Sequence, residues 1–274
     1  MTSSHSLEVA DLTLGYDDRN IVERVTTTIP AGEITAIIGA NASGKSTLLR
    51  GVARLLKPRN GSVILDGKAV HDMRSLDVAK VIGLLPQSPV APDSITVGDL
   101  VSRGRYPHQG WFARWNAEDD KAVGDALEAT GTAELVDRKL AELSGGQRQR
   151  VWIAMALAQG TDILLLDEPT TYLDINYQVE VLDLLTDLNR RSGATIVMVL
   201  HELNLACRYA DHVVAMRSGG IVVEGRPNEV ITSDVVQEVF GLSCDVMPCP
   251  RSGTPMVIPL GRHHMAEREA VRAG

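Results

Sequence analysis

Between residues 7 and 30 apolar and polar side chains alternate in short runs, as they do along half-exposed antiparallel strands, where successive side chains point to opposite faces. Gly32 then opens a β-branched run over residues 33–38, which ends in a glycine-rich loop and a helix predicted to begin near Lys45. Residues 117–130 carry a helical period with Ala122, Ala126 and Ala129 on one side. A second helical stripe over residues 179–188 gathers Val181, Leu184, Leu185 and Leu188. Residues 163–166 and 195–200 are continuous apolar runs, the pattern of parallel strands covered on both faces. The whole predicts an α/β chain with a central, mostly parallel sheet and antiparallel strands at its N-terminal end.

Composition narrows this picture. The 274 residues are 44% apolar, enough for a sizeable core, and no repeat or long linker divides them. The longest purely apolar runs fall far short of the roughly 20 residues that span a bilayer. Residues 1–7 lack the basic and apolar regions of a secretory signal, so the cytoplasm is the expected address. A formal charge of -8 argues against a broad nucleic-acid surface, which needs clustered Lys and Arg. Cys207, Cys244 and Cys249 form no disulfide framework or zinc spacing and read as reduced thiols.

The chemistry begins at Gly39-Ala40-Asn41-Ala42-Ser43-Gly44-Lys45-Ser46, followed by Thr47. This is the complete phosphate-binding loop, placed after a predicted strand and before a predicted helix. Its glycines let backbone N–H groups approach phosphate oxygens, and the helix N-terminus adds a favourable dipole. Lys45 is suited to the β and γ phosphates and the Ser46 hydroxyl to magnesium. Downstream, Ile163-Leu164-Leu165-Leu166-Asp167-Glu168 is an apolar strand that ends in two adjacent carboxylates. Asp167 is placed for the magnesium shell, and Glu168 can take a proton from an attacking water. ATP and Mg2+ are the cofactors this pair of motifs calls for.

Between the two lies Leu143-Ser144-Gly145-Gly146-Gln147, running into an apolar helix over residues 151–158. It is a second anion-binding helix start, and one ATP does not need two. Here the chain resembles the ABC ATPase family, over about residues 7–262. The resemblance implies a P-loop NTPase fold with a helical subdomain inserted at about residues 88–160, forming one domain over 1–262 with a polar tail at 263–274. It implies a homodimer in which Ser144, Gly145, Gly146 and Gln147 cover the γ-phosphate of ATP held by the opposite copy. It also gives roles to Tyr16 on adenine, Gln87 on magnesium and water, Asp174 between subunits, and His201 on the γ-phosphate. Three alternatives stay open at this point: a core position for Tyr16, an exposed loop polar group for Gln87, and an ordinary helix cap for Asp174.

Four segments are similar to the branch that imports ferric siderophores, with haem and cobalamin importers as relatives. They are Arg103-Gly104-Arg105-Tyr106-Pro107-His108, Glu168-Pro169-Thr170-Thr171-Tyr172-Leu173-Asp174-Ile175, Leu205-Ala206-Cys207-Arg208-Tyr209-Ala210 and Ser252-Gly253-Thr254-Pro255-Met256-Val257-Ile258-Pro259. That resemblance implies a transmembrane permease as direct partner, an extracytoplasmic iron-siderophore-binding protein as indirect partner, no nucleic acid, and a peripheral seat on the cytoplasmic face of the membrane. A soluble ABC ATPase of translation or DNA repair is disfavoured, since the chain has one cassette and no sustained heptads. His263 and His264, adjacent in the tail, read as an incidental pair and not a metal site. The cluster Trp111-Phe112-Ala113-Arg114-Trp115, with Arg103 or Arg105 nearby, is expected either at the permease-facing groove or in the core of the helical subdomain.

Overall fold

The computed structural model describes residues 5–109, 115–171 and 173–261. Strands β1 (Leu7–Tyr16) and β2 (Arg19–Ile29) pair antiparallel. With β4 (Asn60–Leu65) and β5 (Lys68–Ala69) they form a four-stranded sheet in the order β2-β1-β4-β5. The alternation seen in the sequence is therefore carried by two long strands. Asp11 and Arg24, both at positive φ, mark the register shifts that bend them, and the Arg24 guanidinium reaches the Asp11 carboxylate at 3.0 Å.

The second sheet has six strands in the order β10-β9-β3-β8-β7-β6. Here β3 (Ile34–Gly39), β6 (Ile82–Leu85), β7 (Ile163–Asp167), β8 (Thr195–Val199) and β9 (His212–Arg217) run parallel, and β10 (Gly220–Gly225) closes one edge antiparallel to β9. Every residue of β3, β7 and β8 is buried, as expected of parallel strands covered on both faces. On one face Ile37, Leu165, Val197 and Val214 pack with the antiparallel sheet and helix α1 (Lys45–Val52). On the other face Ala36, Leu164, Leu166 and Ile196 join the interiors of the helices.

Between β6 and β7 the chain builds α3 (Val97–Ser102), a 3-10 turn (Arg103–His108), α4 (Ala117–Ala129) and α5 (Gly145–Ala158); the short α2 (Ser75–Ala79) precedes β6. These helices share one continuous core with the sheet, through Val101, Leu127, Val151 and Ile153. Beyond β7 come α6 (Ile175–Ser192), α7 (Leu203–Tyr209), α8 (Pro227–Val230) and α9 (Ser233–Phe240). A hairpin of β11 (Cys244–Pro248) and β12 (Pro255–Pro259) ends the described chain, and the Asn204 amide bonds both backbone groups of Val257. No described helix is long and apolar enough to cross a membrane.

Two helical stripes differ from the sequence reading. On α4 the buried positions are Asp119, Val123, Ala126 and Leu127, while Ala129 is exposed. The larger side chains set the buried face, and Asp119 joins it because Arg105 pairs with it at 2.8 Å. On α6 Val181, Leu182 and Leu185 are buried, with Leu184 and Leu188 only half so. Arg105 is itself buried, its second bond going to the Ala158 carbonyl at 3.0 Å, so it is no part of an exposed groove. Arg103 is exposed; Trp111 and Phe112 lie outside the described residues, and Trp115 is exposed with its indole N–H on Asp120.

Candidate nucleotide site

The loop between β3 and α1 owes its shape to backbone conformations that few side chains tolerate. Gly39 has φ +152°, and an added Cβ would collide with the Met216 carbonyl and the Ser43 hydroxyl. Gly44 sits at φ +102° immediately before α1, and Ala42 at +61° between them. The Lys45 ammonium folds back onto the carbonyls of Gly39 and Ala40, at 2.9 Å each. Lys45 is buried, and burial pulls its pKa down, partly offset by Glu168 and Asp167.

Parallel pairing brings the second motif to the same sheet edge. Asp167 ends β7, and its Oδ1 accepts a hydrogen bond from the Ser46 hydroxyl at 2.7 Å. Burial pushes its carboxyl up against the opposing effect of that bond. Glu168 follows at φ +56°, a left-handed conformation unusual for a residue with a side chain, and turns its carboxylate into the loop's cavity. Its Oε1 lies 2.6 Å from His201 Nε2; its Oε2 accepts from Gln87 Nε2 at 2.7 Å and from the Thr171 hydroxyl at 3.0 Å. Burial favours the protonated acid, but His201, Thr171 and Gln87 together outweigh it and hold the carboxyl below its usual range.

One cavity of 680 Å³ is lined by the loop and first turn of α1, residues 41–47, together with Gln87, Glu168 and His201. Gln87 is thereby a site group and not a free loop residue. The Ser43 hydroxyl is buried against Gly39 and has no hydrogen-bond partner among the described residues. Arg19 and Ile21 of β2 also line the cavity and fall in no motif, while Thr171 falls in a family-like segment that assigned it no role.

The remaining predicted residues stand elsewhere. Tyr16, at the end of β1, is 41% exposed, which removes the core reading; its hydroxyl accepts from Arg50 at 3.2 Å. Asp174 caps α6 by accepting the Tyr177 N–H at 3.1 Å. Ser144 caps α5 in a reciprocal box with Gln147, at 3.2 Å and 3.1 Å. Ser144 and Gly145 are exposed, and Gly146 is backed by the Tyr177 ring. Two further hollows, of 620 and 730 Å³, share Asn189, Arg190 and Asp211 near the start of β3 and carry charges of both signs.

Comparison with known proteins bears on the same residues. The model of the ABC transporter family matches residues 22–171. The probable siderophore transport system ATP-binding protein YusV of Bacillus subtilis is 55% identical over 97% of this chain and 96% of its own length. The ferric enterobactin transport ATP-binding protein FepC of Escherichia coli is 53% identical over 92% and 93%. A bacterial ABC transporter cassette solved as a dimer superposes with a TM-score of 0.72 at 29% identity, covering 80% of this chain and 98% of that one. With a P-loop, a paired-carboxylate strand end and a signature helix start in this geometry, the chain belongs to the ABC transporter family, among its ATP-binding subunits.

Proposed function

We propose that the chain binds and hydrolyses ATP as a homodimer, and so drives import of an iron-siderophore complex through a separate transmembrane permease. The observation that carries hydrolysis is the Glu168 carboxylate, held ionised in the cavity opposite Lys45. The cargo rests on likeness to siderophore-system relatives along nearly the whole chain. The domain runs over 1–262 with its helical part at about 88–160, and the protein sits at the cytoplasmic face of the membrane through the permease.

The residues divide the work by chemistry. Backbone amides of the loop meet phosphate oxygens, and the Lys45 ammonium, which burial disfavours and the Glu168 and Asp167 carboxylates support, adds a point charge. Tyr16 offers an exposed ring face for adenine. Ser46 and Asp167 present hydroxyl and carboxylate oxygens 2.7 Å apart, and Gln87 an amide oxygen, a hard-donor set that fits magnesium. Magnesium, when bound, supplies Lewis-acid charge to the phosphates. Glu168 accepts the proton of the attacking water, and His201 beside it holds the carboxylate and stands ready for the γ-phosphate. Ser144, Gly145, Gly146 and Gln147 close the site of the opposite copy, while Asp174 lies on the subunit boundary. A related cassette has been solved as a dimer bound to ADP and Pi.

The purified chain should release phosphate from ATP only with magnesium, and chelation should abolish it. Deleting the gene should abolish growth on a ferric siderophore as sole iron source. Uptake unchanged in the deletion strain would remove the cargo reading while leaving the ATPase reading standing.

A further inference from the structure

Three donors hold the Glu168 carboxylate, and the motifs account for two of them. Gln87 reaches it from the loop after β6, and His201 from the end of β8. The third, Thr171, lies in the same turn as Glu168 itself. Its backbone N–H donates to the Glu168 carbonyl at 3.2 Å, and its hydroxyl donates to Glu168 Oε2 at 3.0 Å. Thr171 thus grips both the backbone carbonyl and the carboxylate of a residue that keeps a left-handed backbone, φ +56°, with a side chain attached. Such a conformation is unfavourable for a residue with a Cβ and persists only where its surroundings over-determine it.

The hydrogen-bond count explains what the hydroxyl achieves. A carboxylate offers about four acceptor positions. Two on Oε2 are filled by Gln87 and Thr171, and one on Oε1 by His201, which leaves the second position on Oε1 with no donor among the described residues, on a side chain that lines the cavity. That open lone pair is where a water can donate without displacing a protein donor. Gln87 and His201 sit on segments far from Glu168 in the chain, whereas Thr171 is three residues away, within one turn. Its β-branched side chain has few χ1 choices, so its hydroxyl stays with the carboxylate when distant donors leave.

We infer that Thr171 is a positioning residue for the catalytic carboxylate: its hydroxyl fixes the Glu168 side chain so that one oxygen of it accepts the proton of the attacking water. The inference rests on the reading of Glu168 as general base. It predicts a loss confined to the chemical step, because Thr171 is no part of the phosphate cradle.

The test uses the full-length homodimer with Mg-ATP. Thr171→Val, which keeps shape and removes the hydroxyl, should lower kcat about 10-fold while KM and the affinity for a fluorescent ATP analogue stay within about 2-fold. Thr171→Ser should recover most of the lost rate. Placed in a Glu168→Gln chain and followed in single turnover, Thr171→Val should cost nothing further, since the group it positions is gone. An unchanged kcat for Thr171→Val, no recovery with serine, or an equal loss in the Glu168→Gln background would each overturn the inference. If the valine chain melts early, Thr171→Ala is read in the same cycle against serine. Normal turnover by Glu168→Gln alone would instead remove the general-base reading, a separate outcome from the failure of Thr171.

Discussion

The P-loop side and the signature side of this chain are both helix starts built to receive anions, yet the chain finishes only one of them. Around α1 the working groups are buried or half-buried and engaged: Lys45 with two carbonyls, Ser46 with Asp167, Glu168 with three donors. Around α5 the cap is equally well formed, by Ser144 and Gln147, but Ser144 and Gly145 are exposed, and among the described residues nothing beyond its own helix and chain neighbours stands within 4 Å of where a Gly145 side chain would project. The first-turn amides of Gly145 and Gly146 have no helical acceptor by position. A rigid donor set with nothing opposite it is half of a site, and in this account a second copy supplies the other half.

The largest effect should come from the finished side. Glu168→Gln keeps the size of the side chain and loses the base, so kcat should fall about 10²- to 10⁴-fold with ATP still bound. Phosphate release and nucleotide affinity, measured together, check it. Lys45→Ala should do the opposite and weaken ATP binding about 10- to 100-fold, because a desolvated counter-charge is lost. Equilibrium binding of a labelled nucleotide reads that loss, and near-normal affinity would mean the cradle works through backbone amides alone.

The scaffold of the signature side gives the next effect. Arg105 ties the turn after α3 to Asp119 on α4 and to the C-terminal end of α5, within the shared core. Arg105→Met should strand a buried carboxylate and cost about 3 kcal/mol in denaturant unfolding, in the absence of any nucleotide. The Arg105 guanidinium holds the Asp119 carboxyl below its usual range. Its stabilisation is therefore present above the unfolded value of about 4 and lost as pH falls below it, so the gap between wild type and variant should close in acid.

How much of this was legible in the sequence depends on how local the cause is. Residues 39–46 and 163–168 declare themselves because the loop and the strand end are each made by neighbours in the chain. The parallel strands at 163–167 and 195–199 were readable from their unbroken apolar runs, which only a two-sided cover explains. The face of α4 was misread because three alanines carry little burial energy beside Val123 and Leu127, and because the partner of Asp119 lies in another element. The choice between Arg103 and Arg105, and between groove and core, stays open in the sequence for the same reason: a buried arginine and a surface arginine look alike until the carboxylate that pairs with one of them is located. Thr171 is legible only as part of a family-like segment; its contact with the carboxylate depends on the left-handed turn at Glu168.

The smallest effect belongs to a region outside both sides. Hydrogen bonds from Ser252 and the backbone pull the Cys249 thiol down to about 7, whereas burial raises Cys207 to about 11. Alkylation of Cys249 should accelerate as pH rises through about 7 and leave ATP turnover unchanged, with Cys207 unreactive throughout. Turnover lost on alkylation would tie the C-terminal hairpin to the nucleotide site.

The claim that the signature completes a site on another copy is tested most directly by asking which chain a bound nucleotide touches. A chain carrying Lys45→Ala, Ser144→Cys and Cys249→Ser cannot hold ATP well in its own cradle but presents a thiol at its own signature. It is mixed with a chain that has Lys45 intact, carries Cys249→Ser and differs in mass, and is then exposed to ATP bearing a thiol-reactive group on the γ-phosphate. The account predicts label on the Lys45→Ala chain only when the Lys45-intact chain is present. Label that is absent from that chain, or that forms equally well without the partner, would contradict it.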